Sequence, residues 1–151
     1  VKSIPEGFHT VTPHITVKDA AQALEFYKAA FGAEEVVRMP GPGGKVMHAE
    51  IRIGDSRMLL NEEFLEMDVK GPQVFGGSPV TLHLYVEDAD ALMKQAADAG
   101  ATITMPVQDT FWGDRYGRLE DPFGHQWAIA TRVREMSFQD MREASRKAFD
   151  T

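Results

Sequence analysis

Residues 79–101 read PVTLHLYVEDADALMKQAADAGA, and residues 11–33 read VTPHITVKDAAQALEFYKAAFGA. The two stretches are copies of one unit. His14 and His83, Val17 and Val86, Asp19 and Asp88, and Ala20 and Ala89 all stand at one offset (83 − 14 = 69). Ala20, Ala23, Leu24 and Tyr27 fall on Ala89, Leu92, Met93 and Ala96, so the apolar side of a helix repeats as well. Each copy opens with two-residue alternation, the period of a strand. Val11, Pro13, Ile15 and Val17 share one face in the first, and Val80, Leu82, Leu84 and Val86 in the second. Asp19 and Asp88 stand where a helix N-cap belongs, and Gly32 and Gly100 where the chain leaves the helix.

Working outward, further strands are expected at 35–39, 48–53 and 57–62 after the first copy. After the second they are expected at 102–105, 118–120 and 125–131. Gly54-Asp55 and Asp121-Pro122-Phe123-Gly124 carry the composition of tight turns. Along the last hairpin Arg118 echoes His48, Glu120 echoes Glu50 and Gly124 echoes Gly54 (124 − 54 = 70). The chain therefore divides into an arm (1–10), a first βαβββ module (11–62), a connection rich in Gly and Pro (63–78), a second module (79–133) and a tail (134–151). In the tail, Ser137 with Asp140 has the pattern of a capping box, and Phe138, Met141 and Ala148 lie on one side of an amphipathic helix.

The 151 residues carry 16 basic against 23 acidic side chains and no cysteine. A net charge of −7 without a basic patch argues against nucleic acid as a partner. The absence of Cys removes disulfides, thiolate metal sites and Cys nucleophiles. No G-x-S-x-G occurs, which disfavours nucleophilic hydrolysis, and Gly43-Gly44-Lys45 is followed by neither Ser/Thr nor a helix, which rejects a phosphate loop. No apolar run has the length of a membrane helix, and the first residues lack a signal-peptide core. A cytoplasmic location is the expectation.

Two βαβββ units together with the run Phe111-Trp112-Gly113-Asp114-Arg115-Tyr116-Gly117-Arg118 and Asp121-Pro122-Phe123-Gly124-His125 resemble the vicinal oxygen chelate superfamily. That superfamily includes glyoxalase I, bleomycin-resistance proteins, fosfomycin-resistance enzymes and extradiol dioxygenases. The nearest likeness is to its PhnB-like, glyoxalase/bleomycin-resistance-like branch, over residues 11–133. The resemblance implies an α+β fold in which two curved mixed sheets, backed by helices, enclose a cleft. It also implies a homodimer as the common assembly. The strand alternation agrees: with the apolar faces on the helices, Thr12, His14, Thr16, Thr81, His83 and Tyr85 face the cleft.

The superfamily's usual chemistry uses a divalent ion as Lewis acid. His14, His83, Glu50, Glu62 and Glu120 are of a type to hold Zn, Ni, Mn or Fe. The register implied by the resemblance speaks against a metal. In metal-binding relatives the first-strand ligands fall at Thr12 and Thr81, and the carboxylates near Ala128 and Met58, none of them a good ligand. The expected function is therefore metal-free binding of a small molecule, planar or cationic, by the cleft. The candidate residues are His14, His48, Glu50, His83, Tyr85, Trp112, Arg115, Tyr116 and Glu120. The alternative is a divalent-metal-dependent lactoylglutathione-lyase-, isomerase- or dioxygenase-like enzyme with a shifted His/Glu site. A third reading is an interaction module whose cleft is closed by its own side chains. Each residue also has a plainer role open to it. A strand His can simply be hydrogen-bonded, Glu50 and Glu120 can pair with Arg52 and Arg118, and Trp112, Arg115 and Tyr116 can pack on the arm or on a partner subunit.

Overall fold

The structure, a computed structural model, describes residues 1–150. The first half of the chain runs β1 (His14–Val17), α1 (Ala20–Phe31), β2 (Glu34–Pro40), β3 (Val46–Ile53) and β4 (Ser56–Glu62). The second half repeats it as β5 (Thr81–Tyr85), α2 (Ala89–Ala99), β6 (Thr102–Asp109), β7 (Asp114–Glu120) and β8 (Gln126–Arg132). A last helix, α3 (Phe138–Phe149), follows. The strands form two four-stranded sheets, ordered β1-β4-β3-β2 and β5-β8-β7-β6. In each, the first strand is parallel to the last and the others are antiparallel. The parallel pair is possible because a helix crosses over between its strands.

Both crossover helices start as their sequences predict. Asp19 accepts a hydrogen bond from Gln22 N, and Asp88 accepts one from Ala91 N. Ser137 and Asp140 complete a reciprocal capping box on α3. α1 and α2 lie side by side, and one core runs through both halves. Its centre is a ring cluster in which Tyr27 and Phe31 meet Trp127 at 5.6 and 4.7 Å between centroids. The buried Asp121 carboxylate holds this cluster together. It accepts from Tyr27 Oη (2.6 Å), Trp127 Nε1 (2.9 Å) and the amides of Phe123 and His125. Burial, and next the Asp121 charge, push the Tyr27 phenol well above the ordinary tyrosine range. Across the same boundary His125 Nε2 lies 2.8 Å from the Thr16 carbonyl.

Several boundaries differ from the sequence reading. The first strand starts at His14, and Val11, expected on its helix-facing side, is 84% exposed. Strand β6 does not stop before Pro106 but continues to Asp109 through a register shift between Met105 and Gln108. The strand expected to begin at Arg118 already holds Arg115 and Tyr116 as part of β7, and only residues 110–113 turn. Gly117 serves a close approach inside this strand. A Cβ at Gly117 would come within 2.8 Å of Met93 on α2 and 2.9 Å of Val107 on β6. Among the described residues no helix is long and apolar enough to cross a membrane.

Candidate functional site

Trp127 and Ile129 point into the core, so Ala128 and Ala130 point to the opposite face of the second sheet. Both alanines are nevertheless fully buried. Their cross-strand neighbours cover them. Ala128 stands between His83 on β5 and Arg118 on β7, and Ala130 between Tyr85 and Tyr116. Arg118 reaches across the floor to Thr81, with Nη2 2.6 Å from Thr81 Oγ1 and Nη1 3.5 Å from the Tyr116 hydroxyl. The rings form a continuous wall. His83 lies 4.5 Å from Tyr85 and 5.9 Å from Tyr116, and Tyr116 lies 5.5 Å from Trp112. Trp112 is anchored from behind, its Nε1 donating to the buried Asp114 carboxylate at 3.0 Å. Tyr85 keeps 71% of its surface exposed at the open end of the wall.

The matching face of the first sheet is polar. Its rows are His14–Leu59–Glu50 and Thr16–Asn61–His48. His14 meets His48 edge to face at 5.8 Å, and Asn61 Oδ1 lies 2.7 Å from His48 Nδ1, an acceptor that fixes the protonated nitrogen there. Glu50 lies 3.7 Å from Arg57. These rows correct the echoes drawn from sequence. Glu50 is the counterpart of Arg118, His48 of Tyr116, and Leu59, not Met58, of Ala128. The reason lies in the turns. Arg52 pairs with Arg57 across four residues, whereas Glu120 pairs with Gln126 across five, so the constant offset breaks at the hairpin. Neither suggested pairing of Glu50 with Arg52 nor of Glu120 with Arg118 forms, since Arg52 turns to Glu34 and Arg118 to Thr81.

Other candidates are placed apart from the wall. Arg115 shares the helix-facing side of β7 with Gly117 and Leu119. Its Nε and Nη2 bind both oxygens of Asp90 on α2, at 3.2 and 2.7 Å, and that hydrogen bonding holds the Asp90 carboxyl below its ordinary range. Glu120 lies one row beyond Arg118, beside Gln126 and Thr102. His83 borders a cleft of about 660 Å³ between the β3–β4 turn and the start of α2, whose other walls include Phe31, Tyr85 and Leu92. His14 borders a different hollow of about 310 Å³ under the connection, near Lys70 and Phe75. Arg118 was missed by the sequence reading. Its signal is present in the alternation Tyr116-x-Arg118-x-Glu120, cut short by a strand expected to begin only at Arg118.

The shifted metal site does not assemble. Among the described residues no three His, Asp or Glu side chains gather in a way that could hold an ion. Glu62 is buried and committed elsewhere: its Oε2 accepts from the amides of Asp19 (2.7 Å) and Ala20 (3.3 Å) at the start of α1. The equivalent place beside α2 is held by Thr131, whose hydroxyl accepts from Ala89 N at 2.9 Å. A carboxylate on a helix N-terminus is a capping group. The residues present do not fit a divalent ion.

A model of the glyoxalase/bleomycin resistance protein/dioxygenase superfamily matches residues 7–129. An uncharacterised protein of Mycobacterium bovis is 44% identical over 137 residues, covering 89% of this chain and 90% of that protein. The solved structure of an Arabidopsis thaliana gene product superposes with a TM-score of 0.65 at 29% identity, covering 82% of this chain and 98% of the other. An anthracycline biosynthesis protein of Streptomyces peucetius is 28% identical over 120 residues, which are 74% of this chain and 42% of that protein.

Proposed function

This chain belongs to the glyoxalase/bleomycin resistance protein/dioxygenase superfamily, and from that premise we propose that it is a small-molecule binding protein that holds a planar ligand, without a metal ion, against the aromatic wall of its second sheet. The observation that carries the proposal is the set His83, Tyr85, Tyr116 and Trp112, ranged at ring spacings of 4.5–5.9 Å on the face away from the helices. Aromatic side chains in this arrangement offer flat apolar area at little further entropic cost, because their own contacts already order them. Of the two ligand chemistries expected, the planar one has this direct support. The cationic one draws on the acidic balance of the chain and on the ring faces, and the Arg118 guanidinium at the same wall opposes it. The name of the anthracycline biosynthesis relative points toward aromatic compounds as well.

The narrower placement in the PhnB-like branch belongs to the same proposal and rests on the residues at 111–125. So does the homodimer. α3 contains no buried residue, and Phe138 and Phe149 are about three-quarters exposed (76% and 75%), an apolar side that a second copy would cover. Sedimentation velocity tests it: a dimer is expected, and a monomer at all concentrations contradicts it.

Thermal shift tests the binding reading, since a ligand of the folded state raises the melting temperature. Naphthalene- and anthraquinone-based compounds should raise it, and saturated compounds of equal size should not. The rise should disappear in Tyr116→Ala. Equal shifts from saturated compounds, or an undiminished shift in the variant, would overturn the reading.

A further inference from the structure

Of the three half-buried arginines among the described residues, two face carboxylates. Arg57 faces Glu50, and Arg115 faces Asp90 and Asp109. Arg118 does not. Its partners are two neutral oxygens, Thr81 Oγ1 at 2.6 Å and the Tyr116 hydroxyl at 3.5 Å. A guanidinium carries five N–H donors in a planar fork, and neutral partners leave most of that capacity free. In a chain with a net charge of −7, an arginine drawn partly out of water with no carboxylate in ion-pair contact is unusual. Glu120 is two residues away on the same face of β7, yet the guanidinium bonds Thr81 on β5 and makes no ion pair with that carboxylate. Arg118 stands in one row with Ala128 and His83, and its guanidinium spans from the Tyr116 hydroxyl to Thr81.

We propose that Arg118 is a specificity-determining residue that pairs with an acidic group on the ligand, so that the protein takes planar aromatic acids: aromatic carboxylates or compounds with an equivalent delocalised anion. This rests on the planar-ligand reading above and narrows it. The physical logic is that of bidentate recognition. A carboxylate accepts two parallel N–H bonds from a guanidinium, which fixes its plane, and the attached ring then lies along the wall formed by Tyr116, His83 and Tyr85. Thr81 holds the fork in place by accepting from Nη2. An amide or amine of the same ring system would leave the guanidinium without its counter-charge.

Calorimetric titration of the full chain with 2-naphthoate, 2-naphthamide and 2-naphthylmethylammonium tests the assignment. The acid should bind at least tenfold more tightly than the amide, and the cation should bind weakest. Arg118→Leu should bring acid and amide within about twofold of each other, the acid losing most. Should Arg118→Leu not fold, Arg118→Lys serves. It keeps the charge but not the fork, and the acid-over-amide ratio should fall at least threefold. Amide or cation binding as tightly as the acid, or a ratio unchanged in the variants, overturns the role of Arg118 and leaves the planar reading standing. Failure of all three probes to bind, or binding indifferent to Tyr116→Ala, removes the planar reading and this inference together.

Discussion

The two sheets share strand order, helix placement and capping logic, yet their outward faces differ in chemistry row by row. Where the first sheet has His14, Leu59 and Glu50, the second has His83, Ala128 and Arg118. Where the first has Thr16, Asn61 and His48, the second has Tyr85, Ala130 and Tyr116. The first face satisfies itself, with His48 bonded to Asn61 and Glu50 beside Arg57. The second packs large rings around small floor residues and leaves one guanidinium without a carboxylate. Duplication keeps the residues that make the fold. The surface it does not constrain is free to specialise, and here only one copy has become a wall.

The comparison can be broken at its largest point in the turns. The second hairpin contains Asp121, which ties Tyr27 and Trp127 together, and the first has no counterpart. Asp121→Ala should strip four hydrogen bonds, three of them buried, and cost about 3 kcal/mol or more in urea unfolding. A loss near zero would mean that the halves hold together without this carboxylate. The capping positions sharpen the likeness between copies. Glu62→Ala should cost about 2 kcal/mol and Thr131→Ala about 1 kcal/mol, the difference reflecting a carboxylate against a hydroxyl at a helix N-terminus. If Glu62→Ala is neutral in stability but abolishes a metal-dependent activity, the capping assignment is wrong.

Binding should separate the faces. Tyr116→Ala is expected to weaken a planar aromatic ligand about tenfold, and His48→Ala at the equivalent place in the first sheet to change it less than about twofold. Equal effects would erase the distinction between the faces. The smallest effect concerns pH. Folding raises the Tyr27 pKa, through burial first and Asp121 second, so the folded state favours the neutral phenol. That stability is complete below the unfolded tyrosine pKa of about 10 and is lost as pH rises through the higher folded value. Urea midpoints measured from neutral to strongly alkaline pH should therefore fall more steeply in the wild type than in Tyr27→Phe.

The repeat at 11–33 and 79–101 made the element order, both helix caps and the helix-facing side of the first strands readable before any coordinates. What escaped was register beyond the hairpins. The extra residue in the turn at 121–125 makes the offset 68 before it (118 − 50) and 69 after it (128 − 59), so a single offset of 70 matches Glu120 with Glu50 where the structure sets Arg118. Gly117 escaped for a different reason: its use is a tight approach of Met93 and Val107, which no local pattern announces. The commitments of Glu62 and Arg115 also depend on partners distant in sequence, at Asp19 and Asp90. Residue type suggested a ligand in both cases, and tertiary contacts supplied a structural role.

The most direct test of the central claim is an amide and side-chain NMR titration of the protein with 2-naphthoate. The account predicts shifts confined to the second sheet, at His83, Tyr85, Tyr116, Arg118, Ala128, Ala130 and the Trp112 indole. Shifts at His14, His48 and Asn61, with the second sheet unmoved, would contradict it.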